Sequence, residues 1–87
     1  MIQLQTKRSK KFKKAYSRLN AKDRELFKKK YLEFLENPNN PTLRNHKLFG
    51  KHTGLCAFSV KHDLRCIYRI ENNYIELTNI GTYSFVY

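Results

Sequence analysis

Between residues 9 and 19 the apolar side chains fall at Phe12, Tyr16 and Leu19. That i, i+4, i+7 spacing lines one face of a helix. Ser9 stands where an N-cap belongs. Asn20 and Asp23 repeat the signal as an N-x-x-D pair and predict a second helix. In that helix Phe27, Tyr31, Phe34 and Leu35 share one side. The run Asn37-Pro38-Asn39-Asn40-Pro41 ends it, because proline disfavours helix at the residue before it. So short a break between helices predicts an antiparallel helical hairpin.

Elsewhere the period is two. Residues 2–5 (Ile-Gln-Leu-Gln) alternate apolar and polar and read as a short strand. Residues 42–54, with Gly50 and Gly54, read as an irregular connection. Residues 55–60, 65–70 and 74–80 are β-rich runs. The connectors Lys61-His62-Asp63-Leu64 and Glu71-Asn72-Asn73 are short and polar, so two consecutive hairpins follow. In the middle strand Cys66, Tyr68 and Ile70 face the core, and Arg65, Ile67 and Arg69 point the other way. The aromatic-rich residues 82–87 add a strand or a rim. The predicted fold is α+β, in the order β-α-α-β-β-β, with a helical hairpin on one face of a small antiparallel sheet. Residues 1–87 show no repeat or linker and read as a single domain.

Composition changes this picture in one respect. The chain has 87 residues and a formal net charge of +11. Residues 1–30 hold 12 of the 18 basic residues against two acids, Asp23 and Glu25. A field so concentrated attracts a polyanion: nucleic acid, an acidic protein or an anionic membrane. The alternative is a solvated helix face with no partner. The membrane reading is the weaker, because the apolar faces of the basic helices are needed for the core. No apolar run is long enough for a membrane span or a signal-peptide core. Cys56 and Cys66 fall on core-facing positions of neighbouring strands and read as free thiols in a reducing cytoplasm.

The motifs then suggest a family. His46-Lys47-Leu48-Phe49-Gly50, Gly54, Phe58-Ser59-Val60, Asp63-Leu64-Arg65, Ile67-Tyr68-Arg69-Ile70 and Ile80-Gly81-Thr82-Tyr83-Ser84-Phe85-Val86-Tyr87 follow one another in order. The set resembles the H-x-L-x-G, D-x-R-x-x-Y and G-T-H-x-x-V-[YF] pattern of the RelE/ParE toxin superfamily, with the closer likeness to its RelE/YafQ branch. The resemblance implies a toxin of a type II toxin–antitoxin pair that cuts messenger RNA on the ribosome. The ribose 2′-OH would attack the adjacent phosphate, without a metal or other cofactor. It also implies an acidic cognate antitoxin, and the ribosome and mRNA, as partners. Two other readings stand beside it: a ParE-like inhibitor of DNA gyrase, and a catalytically weak RNA-binding domain of the same fold.

Such chemistry needs a base, an acid and cations for the crowded phosphate. The resemblance puts His46, Asp63, Arg65, Tyr83 and Tyr87 in the catalytic set. Imidazole exchanges a proton near neutrality, and a guanidinium fork suits a phosphate. A phenol donates a proton or stacks on a base but is a poor base. Each residue also has a plain structural reading. His46 would make a loop hydrogen bond, and Asp63 would shape its turn. Arg65 would pair across strands with Glu76, and Tyr87 would pack on the sheet rim. Tyr83 departs from the pattern's histidine, and Ser59 stands where related toxins have histidine or lysine. Lys10, Lys11, Lys13, Lys14, Arg18, Lys28, Lys29, Lys51, Lys61 and Arg69 are the expected RNA and ribosome contacts. His46 and His52 lack a matching Cys pair, so no zinc site is expected.

Overall fold

The computed structural model describes residues 5–82 and Val86. Both helices begin at the predicted caps. Ser9 Oγ accepts from the Phe12 amide and donates to the Thr78 carbonyl, which pins α1 (Lys10–Ser17) to a strand. Asn20 Oδ1 accepts from the Asp23 amide at the start of α2 (Ala21–Glu36). Asn37 closes α2 ahead of Pro38.

The sheet has five strands: β1 (Gln5–Arg8), β2 (His46–Lys47), β3 (Cys56–Lys61), β4 (Leu64–Glu71) and β5 (Tyr74–Gly81), in spatial order β1-β5-β4-β3-β2. Both predicted hairpins form, and β2–β3, β3–β4 and β4–β5 are antiparallel. Three expectations are corrected. First, the sheet is mixed, because β1 runs parallel to β5. The chain leaves β1 into the helical hairpin and returns to the far edge of the sheet, so its last strand meets its first in the same direction. The strand expected at residues 2–5 begins outside the described residues and is observed at Gln5–Arg8. Second, residues 42–54 contain the strand β2, flanked by 3-10 turns at Pro41–Leu43 and Gly50–His52. Third, Ile70 is 54% exposed, since the helical layer does not cover that end of β4.

The main core lies between helices and sheet. Phe12, Phe27, Phe34, Phe58, Cys66, Tyr68 and Leu77 belong to it. A bulge helps fill it: Ile67 pairs with Asn79 and Tyr68 with Leu77, so Thr78 is the extra residue. Leu77 and Ile80 thereby both join this core, although they are three positions apart. A smaller apolar cluster, Ala57, Ile67 and Val86, sits on the opposite side of β3 and β4. Val86 thus packs on the face that carries no helices. Cys56 and Cys66 are free thiols, half-buried and buried respectively.

Burial raises the Tyr68 phenol well above the usual tyrosine range, with Cys56 beside it acting in the same direction. Tyr31 moves up too, again chiefly by burial. The native state therefore prefers neutral phenols, whereas unfolded tyrosine ionises at about pH 10. This stabilisation is fully present below that pH and is lost as pH climbs toward the folded values. The urea midpoint should hold steady as pH approaches 10 and fall above it. The fall should be shallower in Tyr68→Phe, and an equal slope would show that Tyr68 is not its source.

Candidate active site

Cross-strand register defines the face without helices. His46 stands opposite Ala57, which stands opposite Ile67. On the next rung Ser59 stands opposite Arg65, and Arg65 opposite Gly81. Side chains directly opposite share a face, and positions two apart return to it. His46, Ser59 and Arg65 therefore belong to one face, with the small Ala57 and Ser59 between the two larger side chains. Two strand spacings and one rung put the His46 and Arg65 Cα atoms roughly 12 Å apart.

His46 is exposed, and its ring is oriented from behind. Nδ1 lies 2.8 Å from the carbonyl oxygen of Arg44. A carbonyl only accepts, so Nδ1 carries the hydrogen and the neutral ring keeps its lone pair on Nε2. The carbonyl is held by the local backbone. Arg44 adopts the left-handed conformation (φ 48°, ψ 41°) as it leaves the Pro41–Leu43 turn. Asn45 secures the same segment: it accepts from Tyr68 Oη at 2.6 Å and donates to the Pro38 carbonyl at 3.2 Å. The expected structural hydrogen bond of His46 is thus present, and it leaves the other nitrogen open.

Arg65 does not pair with Glu76. Its Nη1 donates to the Lys61 and His62 carbonyls at 3.1 and 3.2 Å. These bonds tie the guanidinium to the β3–β4 turn. Nε and Nη2 retain three N–H donors. Glu76 is taken by Arg69, whose Nε lies 2.9 Å from it, and Arg69 Nη1 lies 3.3 Å from Glu71. Two carboxylates therefore offset the charge of Arg69, which weakens it as an RNA contact.

Asp63 sits exposed in the β3–β4 turn. It lines a cavity of about 350 Å³ with Arg18, Leu19, Lys61, Gly81 and Thr82. Arg65 lines a different cavity, on the other side of Lys61, and Lys61 borders both. The structure thus brings His46 and Arg65 onto one face and puts Asp63 around the corner of the turn. Tyr83 and Tyr87 lie outside the described residues.

Of the expected docking cations, Lys10, Lys11, Lys13, Lys14, Arg18, Lys28, Lys29 and Lys51 are exposed. Lys28 pairs with Glu25 at 3.4 Å on the surface, a contact worth little in water. Lys61 is held by Asp23 at 2.9 Å. Sequence reasoning missed Lys30 and Arg44. Lys30 is the last of three consecutive lysines, and only its partial burial separates it from its neighbours. Among the described residues, no group of three or more His, Cys, Asp or Glu could hold a metal ion. Among those residues no helix is long and apolar enough to cross a membrane.

The sequence profile of the YafQ family, described as bacterial toxin of type II toxin-antitoxin system, matches residues 4–87. The chain belongs to the YafQ toxin family. Solved structures share the fold. A copper-bound mutant toxin from Helicobacter pylori matches with a TM-score of 0.84 at 23% identity, covering 97% of this chain and 99% of that one. YafQ from E. coli matches at 0.79 and 21% identity, covering 98% and 99%. The E. coli DinJ-YafQ toxin-antitoxin complex matches at 0.76 and 21% identity, covering 99% of each chain. No curated protein sequence matches the chain. Within the YafQ family frame, the expected RelE/YafQ-like fold is the observed one: two helices packed on a five-stranded mixed sheet.

Proposed function

We propose that this YafQ-family toxin is a ribosome-dependent endoribonuclease that cuts mRNA by attack of a 2′-OH on the adjacent phosphate. The observation that carries the reading is the contact of His46 Nδ1 with the Arg44 carbonyl. It leaves the Nε2 lone pair without a partner among the described residues, on a face shared with the donors left on Arg65. Nε2 takes the 2′-OH proton as the oxygen bonds to phosphorus. Charge builds on the phosphoryl oxygens, where Nε and Nη2 of Arg65 stabilise it. The P–O5′ bond breaks, and the 5′-oxygen leaves with a proton. The products are a 2′,3′-cyclic phosphate and a 5′-OH. In this scheme the Tyr83 phenol supplies that proton, and Tyr87 stacks on a base beside the cut. Asp63 orients this donor side of the site through the turn next to Gly81 and Thr82.

The basic helices have a separate task. Their exposed lysines dock on ribosomal RNA, and an acidic antitoxin covers them when the toxin is neutralised. The likeness to a toxin solved with its antitoxin supports that partner.

Induced expression tests the activity. Primer extension should show cuts inside translated codons, and Tyr83→His should increase them if phenol limits proton transfer. Intact mRNA with double-strand DNA breaks would replace this reading with gyrase inhibition. An unchanged or lower rate in Tyr83→His would make tyrosine the fitted donor of this chain.

A further inference from the structure

Beyond Ala57 the outer edge of β3 carries no further strand, because β2 pairs only with Cys56 and Ala57. A cavity of about 300 Å³ opens beside this edge. Lys30 of α2, Arg44 after the 3-10 turn, and Lys61, His62 and Arg65 of the β3–β4 hairpin line it, together with Ser59. None of the described residues lining it is a carboxylate. Lys61 is held by Asp23, and Lys30 lies 3.5 Å from Glu33. Arg44 and Arg65 make no ion pair among the described residues.

An independent observation points to the same place. Ser59 is 7% exposed, and its buried Oγ has no hydrogen-bond partner among the described residues. A buried hydroxyl without a partner is costly, and hydroxyls in protein interiors are normally paired. Here an unpaired donor borders a cavity ringed by cations.

We propose that this cavity binds a backbone phosphate of single-stranded RNA, one that flanks the phosphate being cut. Arg44 and Lys30 neutralise it, and Ser59 Oγ–H donates to one of its oxygens. The proposal rests on the ribonuclease reading and extends it. RNA is favoured over an acidic peptide by continuity. Ser59 and Arg65 form the rung next to His46-Ala57-Ile67, so a single RNA strand crossing that face reaches the cavity at its next phosphate. Arg65 then lies between the two phosphates. Arg44 serves twice, since its carbonyl fixes the His46 ring and its guanidinium faces this anion.

The test uses a fluorescent 2′-O-methyl RNA hexanucleotide, which cannot be cleaved, and the intact chain. Arg44→Ala and Lys30→Gln should each weaken binding about tenfold. The double variant should also lower the salt slope by about 0.7, as expected for one lost phosphate contact. Lys22→Ala, with the same charge loss at an exposed position in the first turn of α2, should do neither. Ser59→Ala should weaken RNA binding while its denaturation midpoint stays level or rises, because an unpaired hydroxyl is removed. Inorganic phosphate should shift the backbone amide signals of Arg44 and Ser59. The proposal is overturned if Arg44→Ala and Lys30→Gln behave like Lys22→Ala, or if phosphate shifts only α1. It is equally overturned if these variants keep RNA affinity and lose only antitoxin. mRNA cleavage by the unaltered chain on ribosomes is scored separately. Cleavage without this site refutes the cavity alone, and phosphate binding without cleavage refutes the ribonuclease reading alone.

Discussion

His46→Gln should lower single-turnover mRNA cleavage on programmed ribosomes by about 10²–10⁴-fold, the range for losing a general base. Glutamine preserves the approximate size and can still bond to the Arg44 carbonyl. It offers no lone pair that takes a proton at neutral pH. Ribosome binding should therefore be unchanged, because the docking lysines lie on other elements.

Arg65 should be nearly as sensitive. Arg65→Ala removes the donors aimed at the reacting phosphate and should cost about 10²–10³-fold, as for other groups that stabilise developing charge. Arg65→Lys should recover little. The Nη1 bonds to the Lys61 and His62 carbonyls consume one arm of a rigid fork and leave the rest available. An ammonium cannot hold the turn and the phosphate together in that way. Full activity in His46→Gln with loss in Asp63→Asn would move the base to the cavity beside Thr82 and refute the assignment.

The helical hairpin was legible because its signals are local. Ser9 and Asn20 cap within three residues, and the apolar period spans only a few turns. The two β-hairpins were legible for the same reason. A first strand was legible too, but its parallel pairing was not, since that pairing joins Gln5 to Tyr74. All four residues of β1 are exposed, so no alternation of burial marks its extent. β2 is two residues long, too short for any period. The site divides the same way. His46 and Arg65 were found by motif, but the tautomer depends on an Arg44 carbonyl turned by a left-handed residue, and no spacing encodes that. Charge counting pointed to α1 and α2 as a docking surface. It could not show that Lys30 borders a cavity with Arg44, or that two carboxylates restrain Arg69. Such facts arise only when distant segments meet.

Phe58→Ala should cost about 3–5 kcal/mol, as a large truncation in a packed core does. Phe58 is fully buried. Its ring stacks on Phe34 with centroids 4.8 Å apart, and Phe27, Tyr31 and Tyr68 lie within 6.5 Å. Small domains carry only about 5–15 kcal/mol in total, so this one side chain accounts for a large share. For a domain of this size the melting temperature should drop by roughly 15–30 °C. Phe58→Leu keeps most of the volume and should lose far less. The consequence reaches the functional face, because Phe58 lies between Ala57 and Ser59 on β3. The ring that anchors the strand to the helices also fixes the backbone on which His46 and Arg65 converge. At a temperature where Phe58→Leu is still folded, its cleavage rate should fall by more than its unfolded fraction explains. A rate that simply tracks the folded fraction would show that the core and the catalytic face are mechanically independent.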